Sequence, residues 1–250
     1  MLQETTVTQH KIVYGVSAAS AATTRTLPTV IENTHATPIE SAQFQYAEAS
    51  LLQRAIEIVV AANVLILASP VMLIIAFLIR LGTPGSPLFF QQRIGMGRKP
   101  FWFVKFRTLY VDAKDRFPDL YKYNYSAEDL EQLRFKVEDD PRVTPQGIWM
   151  RKSTLDELPN FWNVLTGEMA LVGPRPEIPE MLPYYDNEMR LKFTVRPGIT
   201  GLAQVSGRGR LGFYETVELD NEYVRNRSIL MDLKILATTL TKIITRDGAF

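Results

Sequence analysis

Ile58–Ile79 reads IVVAANVLILASPVMLIIAFLI, twenty-two residues with no charge and only Asn63 and Ser69 as polar side chains. About twenty apolar residues, each rising ~1.5 Å, cover the ~30 Å hydrocarbon layer of a bilayer, so the segment predicts a membrane-embedded helix. A soluble helix of this length would carry one polar face, and this one has none. Ser69-Pro70 falls mid-segment. A proline inside a helix removes one backbone donor and collides with the preceding turn, so the helix should bend there. Two geometries satisfy the bend: a kinked span, or a hairpin that enters the bilayer and returns to the same face.

The flanks place the rest of the chain. Residues 1–57 carry Lys11, Arg25 and Arg54 against Glu4, Glu32, Glu40, Glu48 and Glu57. After the segment, Gly82–Val111 carries Arg93, Arg98, Lys99, Lys105 and Arg107 with no acid. That asymmetry predicts a cytoplasmic C-terminal body. Phe89, Phe90, Phe101, Trp102 and Phe103 interleave with these bases, a pairing suited to a headgroup interface.

Composition narrows the chemistry. The 250 residues hold 28 Lys+Arg against 27 Asp+Glu, so overall charge favours no partner class and no nucleic-acid partner is expected. No cysteine occurs, which excludes disulfides, thiolate nucleophiles and Cys-built metal sites. His10 and His35 are the only histidines. Both fall within residues 1–50, an Ala/Thr/Ser-rich stretch expected to be a mobile extension and lacking the pattern of a secretory signal. Any catalysis must rest on carboxylates, Lys, Arg and hydroxyls, and any metal should be a hard, oxygen-seeking ion such as Mg²⁺.

Three parts are expected: the extension at 1–50, a membrane segment at 51–82, and a cytosolic α+β body at 83–250 mixing helices and short strands. Within the body FWFVKFRTL (101–109) reads as a strand, and Asp112–Asp140, charge-rich, as a solvated helical face. Ile229–Ile244 places apolar residues at 229, 230, 233, 236, 240, 243 and 244, an amphipathic helix expected to pack into the core, with lying on the membrane as the lesser reading. Gly207-Arg-Gly-Arg-Leu-Gly212 matches a dinucleotide-loop pattern after the apolar LAQV (202–205), but too little chain follows to build that fold.

Ser153–Asn160, STLDELPN, is the most suggestive local arrangement. Proline is tolerated in the first helical turn, which predicts a helix start with Asp156 as N-cap. Two adjacent carboxylates, Asp156 and Glu157, would stand at its positive end and stay ionised. An ionised aspartate can attack phosphorus, and a neighbouring glutamate can hold Mg²⁺. On these residues alone the plainer reading stands, an ordinary cap with Thr154/Glu157 as a capping box. Context adds weight: the basic stretch above, a second at Arg190–Tyr214 (Arg190, Lys192, Arg196, Arg208, Arg210), and Arg175 between two prolines offer guanidinium forks to phosphate.

KFRTL (105–109), DPRVTPQGIWMRKSTLDELPNFWNVLTGEMALVGPRPE (140–177) and RPGITGLAQVSGR (196–208), behind one Ser-Pro-broken apolar segment, resemble the bacterial sugar transferases, monotopic phosphoglycosyl transferases. The resemblance covers about residues 50–245. It implies transfer of a sugar-1-phosphate from a UDP-sugar to undecaprenyl (polyprenyl) phosphate with release of UMP, at the cytoplasmic face of the bacterial inner membrane. Exopolysaccharide, capsule or O-antigen-type glycans would follow. It implies Asp156 as a nucleophile forming a covalent phosphosugar intermediate, and Glu157, with Asp156, as the Mg²⁺ site. It makes Ser69-Pro70 the break of a re-entrant helix–turn–helix, and Arg54 a base meeting the lipid phosphate. Lys105, Arg107, Arg175 and Arg196 become cations of the phosphate or nucleotide site. Membrane lipid, a second copy of the chain and downstream glycosyltransferases are further expected partners. The competing reading is a non-catalytic membrane adaptor binding anionic lipid.

Overall fold

The computed structural model describes residues 49–134, 139–207 and 210–245. The expected mobile extension, apart from residues 49 and 50, and Arg208 lie outside the described residues.

Helix α1 runs from Leu51 to Gly82, its first turn capped by the Ser50 hydroxyl, which accepts from the Gln53 amide at 3.1 Å. Helical structure continues through Ser69-Pro70, so these residues lie inside one helix instead of separating two. The Ser69 hydroxyl turns back to donate to the Ile66 carbonyl at 2.8 Å, one turn before the proline. Most of the apolar surface of α1 is uncovered by protein, with Leu67 77%, Leu73 71% and Phe77 62% exposed.

The body is α+β. Strand β1 (Leu88–Ile94) pairs antiparallel with β2 (Pro100–Phe106), Leu88 opposite Phe106 and Ile94 opposite Pro100. The strand expected at 101–109 therefore ends three residues early. Phe101, Phe103 and Phe106 point inward, while Trp102 stays exposed. The charge-rich stretch forms no single helix but α2 (Ala113–Arg116), a 3-10 turn (Pro118–Tyr121) and α3 (Ala127–Gln132). Pro118 ends the first piece, since the residue before a proline is pushed out of the helical region. Ser126 and Asp129 close a capping box on α3.

Helix α4 (Pro145–Ser153) leads through Thr154 into a 3-10 turn (Leu155–Asn160) and α5 (Phe161–Thr166). Strand β3 (Ala170–Val172) pairs in parallel with β4 (Gly198–Thr200). A Cβ on Gly198 would strike the Gly173 amide nitrogen, so glycine lets the loop after β3 and the start of β4 touch through their backbones. Helices α6 (Leu202–Gly207), α7 (Phe213–Asn226) and α8 (Ile229–Thr245) complete the fold. LAQV is thus helical, and the glycine pattern follows a helix, which removes the strand that a dinucleotide loop requires.

Both ends of α1 dock on this body. Ala61 packs with Phe101, Phe103, Val164 and Met169. Ile75 and Ile79 pack with Phe106 and Met150. The expectation of core packing holds for only part of the α8 stripe: Leu236 packs against the body, whereas Ile229 (81%), Leu230 (78%) and Ile244 (80%) face outward. The body's surface beneath α8 engages its opposite side, through Ile235, Val172 and Tyr223.

Candidate active site

Asp156 and Glu157 open the 3-10 turn between α4 and α5, which rests on β2 and α4. The turn begins because Thr154 adopts a left-handed conformation (φ 60°, ψ 12°), terminating α4 and reversing the chain. This corrects the expected start. Asp156 is not an N-cap; it lies within the turn, and Thr154 supplies no side-chain cap. The Glu157 amide donates instead to the Thr154 carbonyl at 3.2 Å. Pro159, without an N–H, fits a short turn that needs few backbone donors.

The dipole of a helix start therefore does not govern Asp156. Its side chain is buried, at 7% exposure, and burial with the adjacent Glu157 raises its pKa. Lys105, Arg175 and Arg151 oppose that shift and favour the ionised form. Lys105 is carried by β2, the strand against which the turn packs. Burial is the main cause of its pKa falling to about 8, with Arg93, Arg151 and Arg175 adding repulsion and Asp156 supporting the charge. Arg175 donates to Glu157 Oε1 at 2.6 Å, and that partner, outweighing burial, raises the guanidinium's pKa further.

Two cations of this cluster had no separate role in the sequence reading. Arg93 stands on β1 opposite Phe101, its guanidinium 5.4 Å from the Phe103 ring centre and donating to the Pro176 carbonyl at 3.2 Å. Burial first, then Arg175, lowers its pKa to about 10. Arg151, on the last turn of α4, donates to the Thr108 hydroxyl at 3.2 Å and faces Asp140 at 3.6 Å. The sequence marks Arg93 only as one base in an acid-free stretch and marks Arg151 not at all.

Three expected site cations sit elsewhere. Arg107 is buried and tethers the end of α1, donating to Pro84 O at 2.5 Å, Thr83 O at 3.1 Å and Thr83 Oγ1 at 2.8 Å. Arg196 pairs with Glu57 on α1 at 2.7 Å and donates to the Met169 carbonyl at 3.2 Å. Arg54 donates to the Val164 and Leu165 carbonyls at 2.6 and 2.7 Å, satisfying the C-terminal end of α5. These guanidiniums are committed to holding α1 on the body, so their geometry lends no support to a phosphate contact. Ser69 and Pro70 lie within α1, where the Ser69 hydroxyl donates to the Ile66 carbonyl.

The fit of a metal turns on donors. Among the described residues no group of three or more His, Asp or Glu side chains gathers. Asp156 and Glu157 are the oxygen donors present, with cationic side chains around them. That donor set suits Mg²⁺, which commonly binds through one or two carboxylates, keeps several waters and takes its remaining ligands from substrate phosphate. A transition metal needing nitrogen or sulfur would find no ligand set here.

The chain matches the family model described as bacterial sugar transferase over residues 48–246. It belongs to the bacterial sugar transferase family. This member is 38% identical over 208 residues to the UDP-glucose:undecaprenyl-phosphate glucose-1-phosphate transferase of Escherichia coli, covering 80% of this chain and 42% of that protein. It is 37% identical over 199 residues to the UDP-galactose-lipid carrier transferase of Erwinia amylovora, covering 80% of this chain and 42% of that one. With the exopolysaccharide production protein ExoY of Sinorhizobium fredii the figure is 35% over 198 residues, 79% of this chain and 88% of the relative. This bacterial sugar transferase thus spans about two fifths of the first two relatives' length and most of the third.

Proposed function

We propose that the chain transfers a sugar-1-phosphate from a UDP-sugar to undecaprenyl phosphate, releasing UMP. The observation that carries the reading is the buried Asp156 beside Glu157, with Arg175 2.6 Å from Glu157 and the charges of Lys105, Arg175 and Arg151 acting on Asp156. Cations around a buried carboxylate both favour its ionised form and attract phosphate oxygens, the two conditions for a carboxylate nucleophile attacking a diphosphate. In the first step an Asp156 carboxylate oxygen bonds to the sugar-bearing phosphorus. The bond from that phosphorus to the bridging oxygen breaks, and UMP departs with the electron pair. In the second step the phosphate oxygen of the polyprenyl acceptor attacks the same phosphorus, freeing Asp156 and leaving a lipid-diphospho-sugar. Mg²⁺ held by Glu157 and Asp156 would neutralise charge on the diphosphate. Arg175 orients Glu157, and Lys105 lies where it can offset charge on the transferring group. The names of the relatives specify glucose in one case and galactose in another, so kinship leaves the hexose open.

Membrane placement belongs to the same reading. Burial of Ala61 at one end of α1 and Ile75 and Ile79 at the other keeps both against one body. A spanning helix held to one body towards both ends would drag that body into the hydrocarbon layer, where its unpaired polar groups are costly. A shallow re-entrant α1, entering and leaving on the cytoplasmic face of the inner membrane, avoids that. The outward stripe of α8 supports an interfacial helix lying on the same surface. Assembly of exopolysaccharide or related surface glycans is the process that the reading implies.

The full chain in detergent, supplied with undecaprenyl phosphate, Mg²⁺ and a panel of UDP-sugars, should release UMP. Asp156→Asn should abolish that release, and normal turnover by the variant would end the nucleophile assignment. Absence of wild-type turnover across the panel would favour the lipid-binding adaptor. Tags at both ends of the chain should resist protease added to intact cells, whereas digestion of the N-terminal tag alone would mean a span.

A further inference from the structure

Behind the candidate site lies a second set of charges that the mechanism above does not use. Lys192 Nζ is 2.8 Å from Asp220 Oδ2 and 4.0 Å from Glu177 Oε2, and the side chains are 2%, 0% and 8% exposed. The Tyr185 hydroxyl donates to Glu177 Oε2 at 2.7 Å, and the Ile178 amide donates to Glu177 Oε1 at 3.0 Å. Lys192 lies 5.5 Å from the centre of the Tyr185 ring, and its amide donates to Asn221 Oδ1 at 3.0 Å. Ile94, Phe193, Phe213 and Val217 belong to the apolar core cluster of this region.

Buried ion sets are weak sources of stability, because lost hydration offsets attraction and apolar residues of similar volume commonly do as well. In some proteins such sets instead fix a position or register. Here one end of the set is tied to the site. Glu177 is two residues from Arg175, and its carbonyl accepts from the Ile94 amide at 2.8 Å, next to Arg93. Arg93 in turn donates to the Pro176 carbonyl. The loop carrying Arg175 is therefore fixed between β1 and α7 by Glu177, through Lys192 and Asp220.

We propose that Glu177, Lys192 and Asp220 are positioning residues that hold Arg175 and Arg93 in register with Asp156 and Glu157 for transfer of the phosphosugar. The inference rests on the reading of function above and deepens it. None of the three touches substrate. They act through the two arginines, and replacing them should therefore slow turnover more than it loosens the fold.

The test is a double-mutant cycle on the full chain in detergent with UDP-sugar and undecaprenyl phosphate. Glu177→Gln keeps the shape and the tyrosine contact while removing the charge. It should lower kcat about tenfold, with KM for the UDP-sugar changed less than threefold and the thermal midpoint nearly unmoved. In an Arg175→Lys background, where the guanidinium fork is already lost, the same change should cost at most twofold, since residues acting as one unit are not additive. The double replacement Lys192→Met with Asp220→Leu should likewise stay folded and lose turnover. Equal factors in both backgrounds would overturn the proposal, as would unchanged kcat in Glu177→Gln or loss of folding in that variant, which would make the set a prop of the core. A wild-type chain without turnover would bring down the functional reading and this inference together; an active wild type with additive variants would bring down this inference alone.

Discussion

Asp156 sits under two opposed demands. Burial favours its neutral form and three neighbouring cations favour its charge, so the nucleophile's competence depends on each cation remaining in place. Lys105 is the most exacting test, because β2 presents it from the sheet side of the turn and burial already weakens its own charge. Lys105→Met, close in volume but uncharged, should cut kcat on the order of a hundredfold, the scale seen when one preorganised charge partner is removed from a reacting site. Steady-state UMP release measures it, and a loss under threefold would remove Lys105 from the site. Adjacent acids and an arginine between prolines were legible as candidates in the sequence. Arg93 and Arg151 were not, because the pairing of β1 with β2 brings Arg93 to Arg175 and Glu157, and the left-handed turn at Thr154 brings Arg151 to Asp156. Arg54, Arg107 and Arg196 show the converse. Sequence marks them as cations among phosphate-binding motifs, and only the contacts reveal that carbonyls and Glu57 have claimed them.

Secondary elements are held to one another here by guanidiniums reaching backbone and carboxylate. Asp140 takes two hydrogen bonds from the Arg142 guanidinium, at 2.8 and 2.9 Å, and a third from its amide at 3.0 Å, and Arg142 reaches on to the Leu120 carbonyl at 3.3 Å, joining the 3-10 turn at Pro118–Tyr121 to the approach to α4. Burial pushes the Asp140 carboxyl up, but the bonds and charge of Arg142, with Arg151 behind, outweigh it and hold the group below the ordinary carboxylate range. A carboxylate lowered in the fold stabilises it fully above the unfolded value of about 3.9, and the contribution fades as pH falls through the folded value. Asp140→Asn should therefore cost about 1.5–3 kcal/mol at pH 7. For a chain of this length that is a midpoint about 3–12 °C lower, read by intrinsic tryptophan fluorescence on heating. The gap should narrow as pH drops from about 5 towards 2; a gap independent of pH would mean that shape, not charge, is what the substitution removes. The charge-rich pattern gives no start for α3, which the Ser126/Asp129 box fixes. Long charged stretches give period without boundaries, and Pro118 and the Ser126 cap set those boundaries.

Across the whole molecule the unfinished surfaces are α1 and α8. Exposed large apolar side chains cluster on both, and a contiguous patch of that kind on a folded chain calls for cover. The apolar run of α1 was legible because no polar face interrupts it. The direction of the α8 stripe was not, since periodicity tells which residues share a face and says nothing of whether protein or lipid meets it. Lipid is the cover consistent with α1, whose apolar length fits a bilayer. The absence of cysteine from the chain makes this directly measurable, as a single introduced cysteine can carry a nitroxide with no background site. In nanodiscs, labels at positions 230, 233 and 240 should relax faster with oxygen, which concentrates in lipid, than with a water-soluble nickel chelate. A label replacing Lys234, exposed beside that stripe, should show the reverse. Leu230→Glu with Leu233→Glu would oppose ~1.5–3 kcal/mol of apolar burial at each site, so it should release α8 while α1 keeps the chain on the membrane, seen as nickel access gained at position 240. If labels on the stripe favour nickel from the outset, α8 stands in water, and its apolar face must be covered by protein instead.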